Sequence, residues 1–241
     1  MDATILIAML ITITIIHEAA HAVVALLLGY KLKKIYLGIP LNPTIRGKNY
    51  TTVLFKKEVR GVEFGVSWLI LGGAVDFHDF EQAPAWKMTL IALAGPFSNA
   101  ALAFGSIWIV AGFAPAMEVT GILIQVVLQG MGMVVTGQVG LAQLSGPVGF
   151  VGAMTNVAAT YPMGWLVVWN VINVALFVTN LLPIPALDGG QVLLAWAGHF
   201  LGKKSKKPIR WLTIGTLYLL CALMAVVMGK DIVAGLATMI K

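Results

Sequence analysis

Two histidines and a glutamate stand close together near the N-terminus, in the run His17-Glu18-Ala19-Ala20-His21. On a helix, residues four apart share a face, so both imidazoles can reach one metal ion while the glutamate lies about 100° further round. This spacing is typical of zinc metalloproteases, in which the histidines bind Zn²⁺ and the glutamate acts as the general base. The alternative is a pair of neutral histidines bonded to other helices, with the glutamate protonated.

The apolar surroundings of this motif favour a functional role. Glu18 is the only charged residue between Ala3 and Gly29, a stretch longer than the roughly 20 residues that a helix needs to cross a bilayer. A charged side chain inside such a span costs on the order of 2.5–3.5 kcal/mol, so ionisable residues there usually mark a functional site.

A catalytic zinc takes three protein ligands and keeps one open position, so a third ligand is expected. Asp188 is the candidate, because Pro183 and Pro185 just before it cannot continue a helix and must unwind the chain there. At 1.5 Å per residue, His17 lies about 21 Å below residue 3, and Asn180 lies about 22 Å below Trp165, so the depths match. We therefore predict one Zn²⁺ per chain on the two histidines and Asp188; the alternative is that Asp188 only caps the next helix.

The composition predicts an all-α polytopic membrane protein of one domain, 1–241. Of the 241 residues, 59% are apolar and 11% are charged, and the mean hydropathy is +0.90, which excludes a soluble enzyme. A single cysteine excludes a disulfide scaffold. Four charge-poor stretches are the expected spans, and a region rich in β-branched and aromatic residues is the expected small β-hairpin or sheet. The spans are 3–29, 88–112, 165–187 and 211–229, and the β-region is 48–77.

The basic residues predict the orientation. Of 16 Lys and Arg, nine fall between Lys31 and Lys87 and five between Lys203 and Arg210, with none between those two groups. By the positive-inside rule, 30–87 and 202–210 face the cytoplasm, while both termini and the connection 113–164 lie outside. We therefore expect a multi-pass protein of the cell (inner) membrane with its active site toward the cytoplasm. The net charge of +6 is explained by these flanks, so no nucleic-acid partner is expected.

Five motifs in order along the chain resemble those of the site-2 protease family of intramembrane zinc metalloproteases, and the nearest subgroup is the bacterial sigma-E-regulating protease. The motifs are HEAAH at 17–21, ILGGAV at 70–75, AGPFSN at 94–99, SGPVG at 145–149 and NLLPIPALDGG at 180–190. Members of that subgroup usually carry PDZ domains in the outer connection. The roughly 50 residues of 113–164 are too few for a PDZ domain, so no PDZ is expected.

The resemblance implies a role for each matching residue. It implies that His17, His21 and Asp188 bind zinc and that Glu18 is the general base. It further implies that substrate contacts come from Asn180, Pro183, Gly72 and Gly73; the alternative for Asn180 is that it only satisfies the broken helix. Asn99 is a candidate for support of the active site, with a helix–helix hydrogen bond as the alternative.

The implied function is hydrolysis of peptide bonds within transmembrane segments of membrane-protein substrates, as in cleavage of an anti-sigma factor or a signal-peptide remnant. The expected partners are a helical transmembrane substrate and the lipid bilayer. Two alternatives stay open, a divalent-metal transporter and a non-catalytic membrane scaffold, and the sequence does not indicate an oligomeric state.

Overall fold

The computed structural model describes residues 3–42, 44–45, 48–49, 51–69, 72–79, 83–140, 143–202 and 206–239. Seven helices and six strands are present in these ranges. The helices are α1 Ala3–Leu27, α2 Ala85–Ala111, α3 Phe113–Val135, α4 Pro147–Thr160, α5 Gly164–Asn180, α6 Asp188–Leu201 and α7 Lys206–Met239; the strands are β1 Leu32–Leu37, β2 Thr44–Ile45, β3 Lys48–Asn49, β4 Val53–Val59, β5 Val62–Ser67 and β6 Gly73–Phe77.

In the part of the chain that the structure describes, four helices are long and apolar enough to cross a membrane, which confirms the predicted mostly helical, polytopic class. They are α1, α2, α3 and the stretch Lys207–Val233 of α7. The predicted span at 165–187 is wrong in extent, because α5 has only 17 residues and ends at Asn180. The two prolines that follow cannot continue the helix, so the segment turns before α6 begins.

The predicted outer connection 113–164 contains helix α3, which is long and apolar enough to cross a membrane, so the placement of this segment outside stays a prediction. The helix has 23 residues with a mean hydropathy of 1.6 over its most apolar window, and it packs along α2 and α5. Gly112 allows the reversal between α2 and α3, because its φ of 91° is open to glycine and strained for other residues. The segment 113–164 contains no Lys or Arg, so the charge pattern does not indicate on which side of the membrane α3 ends.

Helix α2 lies at the centre of the bundle, in contact with α1, α3, α5 and α6. On the side away from the sheet, α1 and α5 bury Leu6 and Ile13 against Val168 and Ile172, and α4 covers that cluster. Burial of four such side chains stabilises the pairing by several kcal/mol. Helix α7 is peripheral and packs against α4 and α6.

The β-region is a four-stranded sheet in the order β4-β5-β1-β6. Strand β1 pairs in parallel with β5 and antiparallel with β6, and it lies outside the predicted range 48–77. Tyr36 of β1 packs over Gly65 of β5, where an added Cβ would collide with the ring, and its hydroxyl donates to Glu63 at 2.8 Å. Burial and this hydrogen bond raise the pKa of Tyr36 to about 12. The hydrogen bonds from Tyr36 and Lys34 lower the pKa of Glu63.

Candidate metal centre and active site

Three side chains predicted to bind one metal converge in the interior. Nε2 of His17 lies 3.1 Å from Nε2 of His21, and the Asp188 carboxylate lies 3.2 Å from the first and 3.6 Å from the second. The ligand atoms of all three residues lie within 4.8 Å of one another. Both histidines are buried, and each is only 8% exposed. The sequence motif and the distant aspartate therefore meet at one point.

The two elements that supply these groups follow from local sequence. One helical turn of α1 places both imidazoles on the face directed at α2. Asp188 is the first residue of α6, and the turn before it is tight because a Cβ at Gly189 or Gly190 would meet the backbone of 181–185. The break in the helix and the two glycines together bring the carboxylate back to the histidines.

Each imidazole is oriented by a second group on α2. Nδ1 of His21 lies 2.6 Å from the carbonyl oxygen of Ile91, so Nδ1–H donates there and Nε2 keeps its lone pair. Nδ1 of His17 lies 3.1 Å from the amide of Asn99, whose buried Oδ1 has no hydrogen-bond partner among the described residues. A half-turn of that amide lets Oδ1 accept from Nδ1–H, which again leaves Nε2 free. Hydrogen bonds of this kind are usual behind metal-binding histidines.

The geometry fits a zinc ion. Ligands about 2.05 Å from a tetrahedral ion are separated from each other by about 3.3 Å, close to the 3.1, 3.2 and 3.6 Å observed. The buried Oδ2 of Asp188 accepts no hydrogen bond although it faces His17. A buried carboxylate oxygen without a donor is costly, and a cation would satisfy it.

Two glycines make room for this centre. A Cβ on Gly95 of α2 would lie 2.5 Å from Nε2 of His17, and a Cβ on Gly73 of β6 would lie 2.8 Å from Oε1 of Glu18. The backbone of α2 therefore approaches the metal ligands directly, and the first residue of β6 approaches the glutamate. A side chain at Gly95 would displace the imidazoles, and one at Gly73 would displace the Glu18 carboxylate.

A cavity of about 270 Å³ opens beside the carboxylates. Glu18, His21 and Asp188 form one end, and its other walls come from β6, α2 and α6. The cavity is large enough for water and a short length of peptide backbone. Glu18 thus faces the same space as two of the three potential ligands, His21 and Asp188.

Of the remaining predicted residues, two lie at the site and three do not line its cavity. Gly73 lines the cavity and Asn99 contacts His17. Asn180, Pro183 and Gly72 are not among the described residues that line it, so their roles stay predictions. Sequence reasoning missed the carbonyl of Ile91, the clearance at Gly95 and the wall residue Gln191. Of these only Gly95 had a signal, because it lies in the AGPFSN motif at 94–99.

A comparison with protein families decides the classification. The model described as peptidase family M50 matches residues 5–224, which is most of the chain. The chain belongs to peptidase family M50. This confirms the resemblance to the site-2 proteases, and the matched range includes both halves of the candidate centre.

Several curated proteins are similar to this M50 chain over part of its length. It is 36% identical over 115 residues to zinc metalloprotease RasP of Bacillus licheniformis, covering 47% of the chain and 27% of that protein. It is 37% identical over 108 residues to the regulator of sigma-W protease RasP of Bacillus subtilis, covering 44% and 25%. A putative zinc metalloprotease of Clostridium acetobutylicum is 37% identical over 115 residues, covering 46% and 33%. The chain thus matches about a third or less of the length of these relatives.

Proposed function

We propose that this M50 chain is a zinc metalloendopeptidase that hydrolyses peptide bonds within transmembrane segments of membrane proteins. The observation that carries the proposal is the convergence of His17, His21 and Asp188 beside Glu18, between helices long enough to cross a bilayer. Membership of a peptidase family and the similarity to zinc metalloproteases support it.

Each residue has a distinct part in the proposed reaction. Nε2 of His17, Nε2 of His21 and the Asp188 carboxylate hold the metal, and Asn99 and the Ile91 carbonyl fix the rings. Bound zinc supplies Lewis acidity, which acidifies a water molecule and polarises a carbonyl group.

The Glu18 carboxylate takes a proton from the attacking water and later gives it to the leaving nitrogen. Glu18 suits this part because it faces the cavity and is not one of the three clustered ligands. Its neighbour Gly73 leaves the space that the carboxylate needs in order to reach the water.

Strand β6 is the proposed docking edge for the substrate. Within the described sheet β6 is an edge strand that pairs only with β1, and its residues Gly73, Ala74 and Val75 line the cavity. A helical substrate hides its amide groups in internal hydrogen bonds, so it must unwind locally before it is cut. An edge strand supplies replacement backbone hydrogen bonds, which matter greatly where water is scarce.

The proposed orientation follows the basic residues. The β-region and the stretch 202–210 carry most of the Lys and Arg, so they face the cytoplasm and the site opens on that side. In this proposed orientation α3 runs inward and the stretch 136–160 leads back outward. Helix α5 then starts on the outer side, and both termini face outward.

Replacement of the glutamate tests the proposal. We expect Glu18→Gln to bind zinc like the wild type and to cleave a reconstituted transmembrane substrate at a rate reduced by at least about 10²-fold, because general-base catalysis contributes that much. Glu118→Gln is the matched control, since that glutamate is exposed on α3. Unchanged cleavage by Glu18→Gln contradicts the general-base role. If the wild type transports zinc into vesicles, cleaves no substrate, and loses transport on Glu18→Gln, the protein is a transporter. If the wild type shows neither cleavage nor transport, the result favours a scaffold.

A further inference from the structure

A second and larger cavity lies between the N-terminal end of α2, helix α6 and the N-terminal part of α7. Its volume is about 970 Å³. We call it the basic cleft. Its walls are mostly apolar, and its polar lining groups include Gln191, His199, Lys207 and Arg210. No residue of the candidate metal centre lies in it.

The basic cleft adjoins the catalytic cavity. Met88 of α2 and Gln191 of α6 line both cavities. Strand β6 runs from Gly73, which lies against Glu18, to Phe77, which packs with Ile91 about one turn of α2 from Met88. A peptide lying along β6 is therefore directed from the metal centre toward the cleft.

The helix rise gives the length of peptide needed. Asp188 and His199 are eleven residues apart on α6, which corresponds to about 16 Å along the helix axis. An extended peptide advances about 3.3 Å per residue. A side chain about five residues from the bond being cut would thus reach the level of His199. The first turns of α7, with Lys207 and Arg210, lie near that level because Ile209 lies against Gly198.

The cleft carries positive charge that no described carboxylate neutralises. Lys207 and Arg210 are exposed, and neither forms an ion pair within the described part of the chain. The stretch 203–210 contains five basic residues and no acidic one. A guanidinium presents paired donors that match a carboxylate, so the arrangement suits an acidic side chain.

We propose that the basic cleft is a specificity subsite for a Glu or Asp about five residues from the scissile bond, with Arg210 and Lys207 as the specificity-determining residues. The inference rests on the proposed proteolysis and adds the class of substrate. Cytoplasmic flanks of membrane spans are usually rich in Lys and Arg. A cleft of this charge therefore disfavours most membrane proteins and selects those with an acidic flank.

The test uses the full chain in phosphatidylcholine vesicles with one transmembrane substrate whose cleavage site has been mapped by mass spectrometry. Glu, Gln or Lys is placed singly at each of ten positions on either side of the cut. We expect the Glu form to be cleaved about fivefold more efficiently than the Lys form, measured as kcat/KM, at positions four to six on one side only. The preference falls below about twofold in 1 M salt, where charges are screened within about 3 Å.

Charge reversal in the cleft identifies the residues responsible. Arg210→Glu is expected to favour the Lys form over the Glu form, and Arg210→Gln to remove the preference. Lys57→Glu is the control, because Lys57 lies on β4, at the edge of the sheet opposite β6. The wild-type substrate ratio needs no variant, so the test stands even if one variant fails to fold.

The possible results distinguish failure of the proposed subsite from failure of the proposed proteolysis. Cleavage of the Gln substrate without any positional charge preference overturns the subsite and leaves the protease intact. A change that is equal for all substrates and depends on added phosphatidylglycerol shows that the cleft binds an anionic lipid, which also overturns the proposal. No cleavage of any substrate by the wild type contradicts the proposed function itself.

Discussion

Gly95 offers the most direct structural perturbation of the metal centre. An added Cβ there would lie 2.5 Å from Nε2 of His17 and 2.6 Å from Cε1 of His21. Ordinary carbon–nitrogen contacts are about 3.5 Å, so Gly95→Ala must displace the rings by about 1 Å. Helix α2 cannot easily retreat, because Gly95 is buried and α5 packs against the same helix.

The displacement converts into a large loss of metal affinity. Ligand distances in a working site hold to about 0.2 Å, and loss of a single hydrogen bond behind a ligand already costs about 10–100-fold. We expect Gly95→Ala to weaken zinc binding by at least about 100-fold, or 2.7 kcal/mol. Gly105→Ala is the matched control, because it lies on the same helix and its Cβ would meet nothing within 4 Å.

The assay is competition for zinc between the purified full chain and a chromophoric chelator, in detergent, with helical circular dichroism recorded for each variant. The control is expected to bind zinc like the wild type. If Gly95→Ala retains its helicity and binds zinc within about threefold of Gly105→Ala, the metal does not lie between these imidazoles as described.

Three further predictions concern groups around the site and the scaffold. Asn99→Leu removes the hydrogen bond to His17 Nδ1 and should lower zinc affinity by about 10–100-fold in the same competition assay, with little change in helicity. Asp231→Leu leaves the N–H of Gly149 without its 2.8 Å acceptor and should destabilise the packing of α4 on α7 by about 1–3 kcal/mol, measured by denaturant unfolding. The pKa of Tyr36 is about 12 in the folded protein and about 10 in the unfolded chain, so folding favours the neutral phenol. The resulting stability is complete below pH 10 and is lost as the pH rises toward 12. The wild type should therefore lose its stability advantage over Tyr36→Phe between pH 10 and 12.

The sequence was most informative where chemistry conflicts with its surroundings. A glutamate and two histidines in an apolar helix need polar partners or a metal ion, and two prolines before Asp188 cannot continue a helix. These local conflicts predicted that α1 and α6 would meet, and the structure brings them together. The family match then confirmed the class to which the motifs pointed.

The sequence was least informative where contacts rather than composition decide. Strand β1 was missed because Leu32–Leu37 pairs with strands about 30 and 40 residues further along the chain, and no short pattern records such pairing. The position of helix α3 relative to the membrane could not be predicted from charge, because 113–164 contains no Lys or Arg, although the helix is long and apolar enough to span. The basic cleft was also invisible, since it exists only where α2, α6 and α7 meet.

X-ray absorption at the zinc edge, recorded on the full chain beside Asp188→Ala, tests the central claim most directly. The account predicts about one zinc per wild-type chain, with two imidazole nitrogens and oxygen ligands at about 2.0–2.2 Å. It also predicts that Asp188→Ala loses most of the metal. A wild-type spectrum with fewer than two imidazoles, or an Asp188→Ala variant with undiminished zinc and the same spectrum, would contradict it.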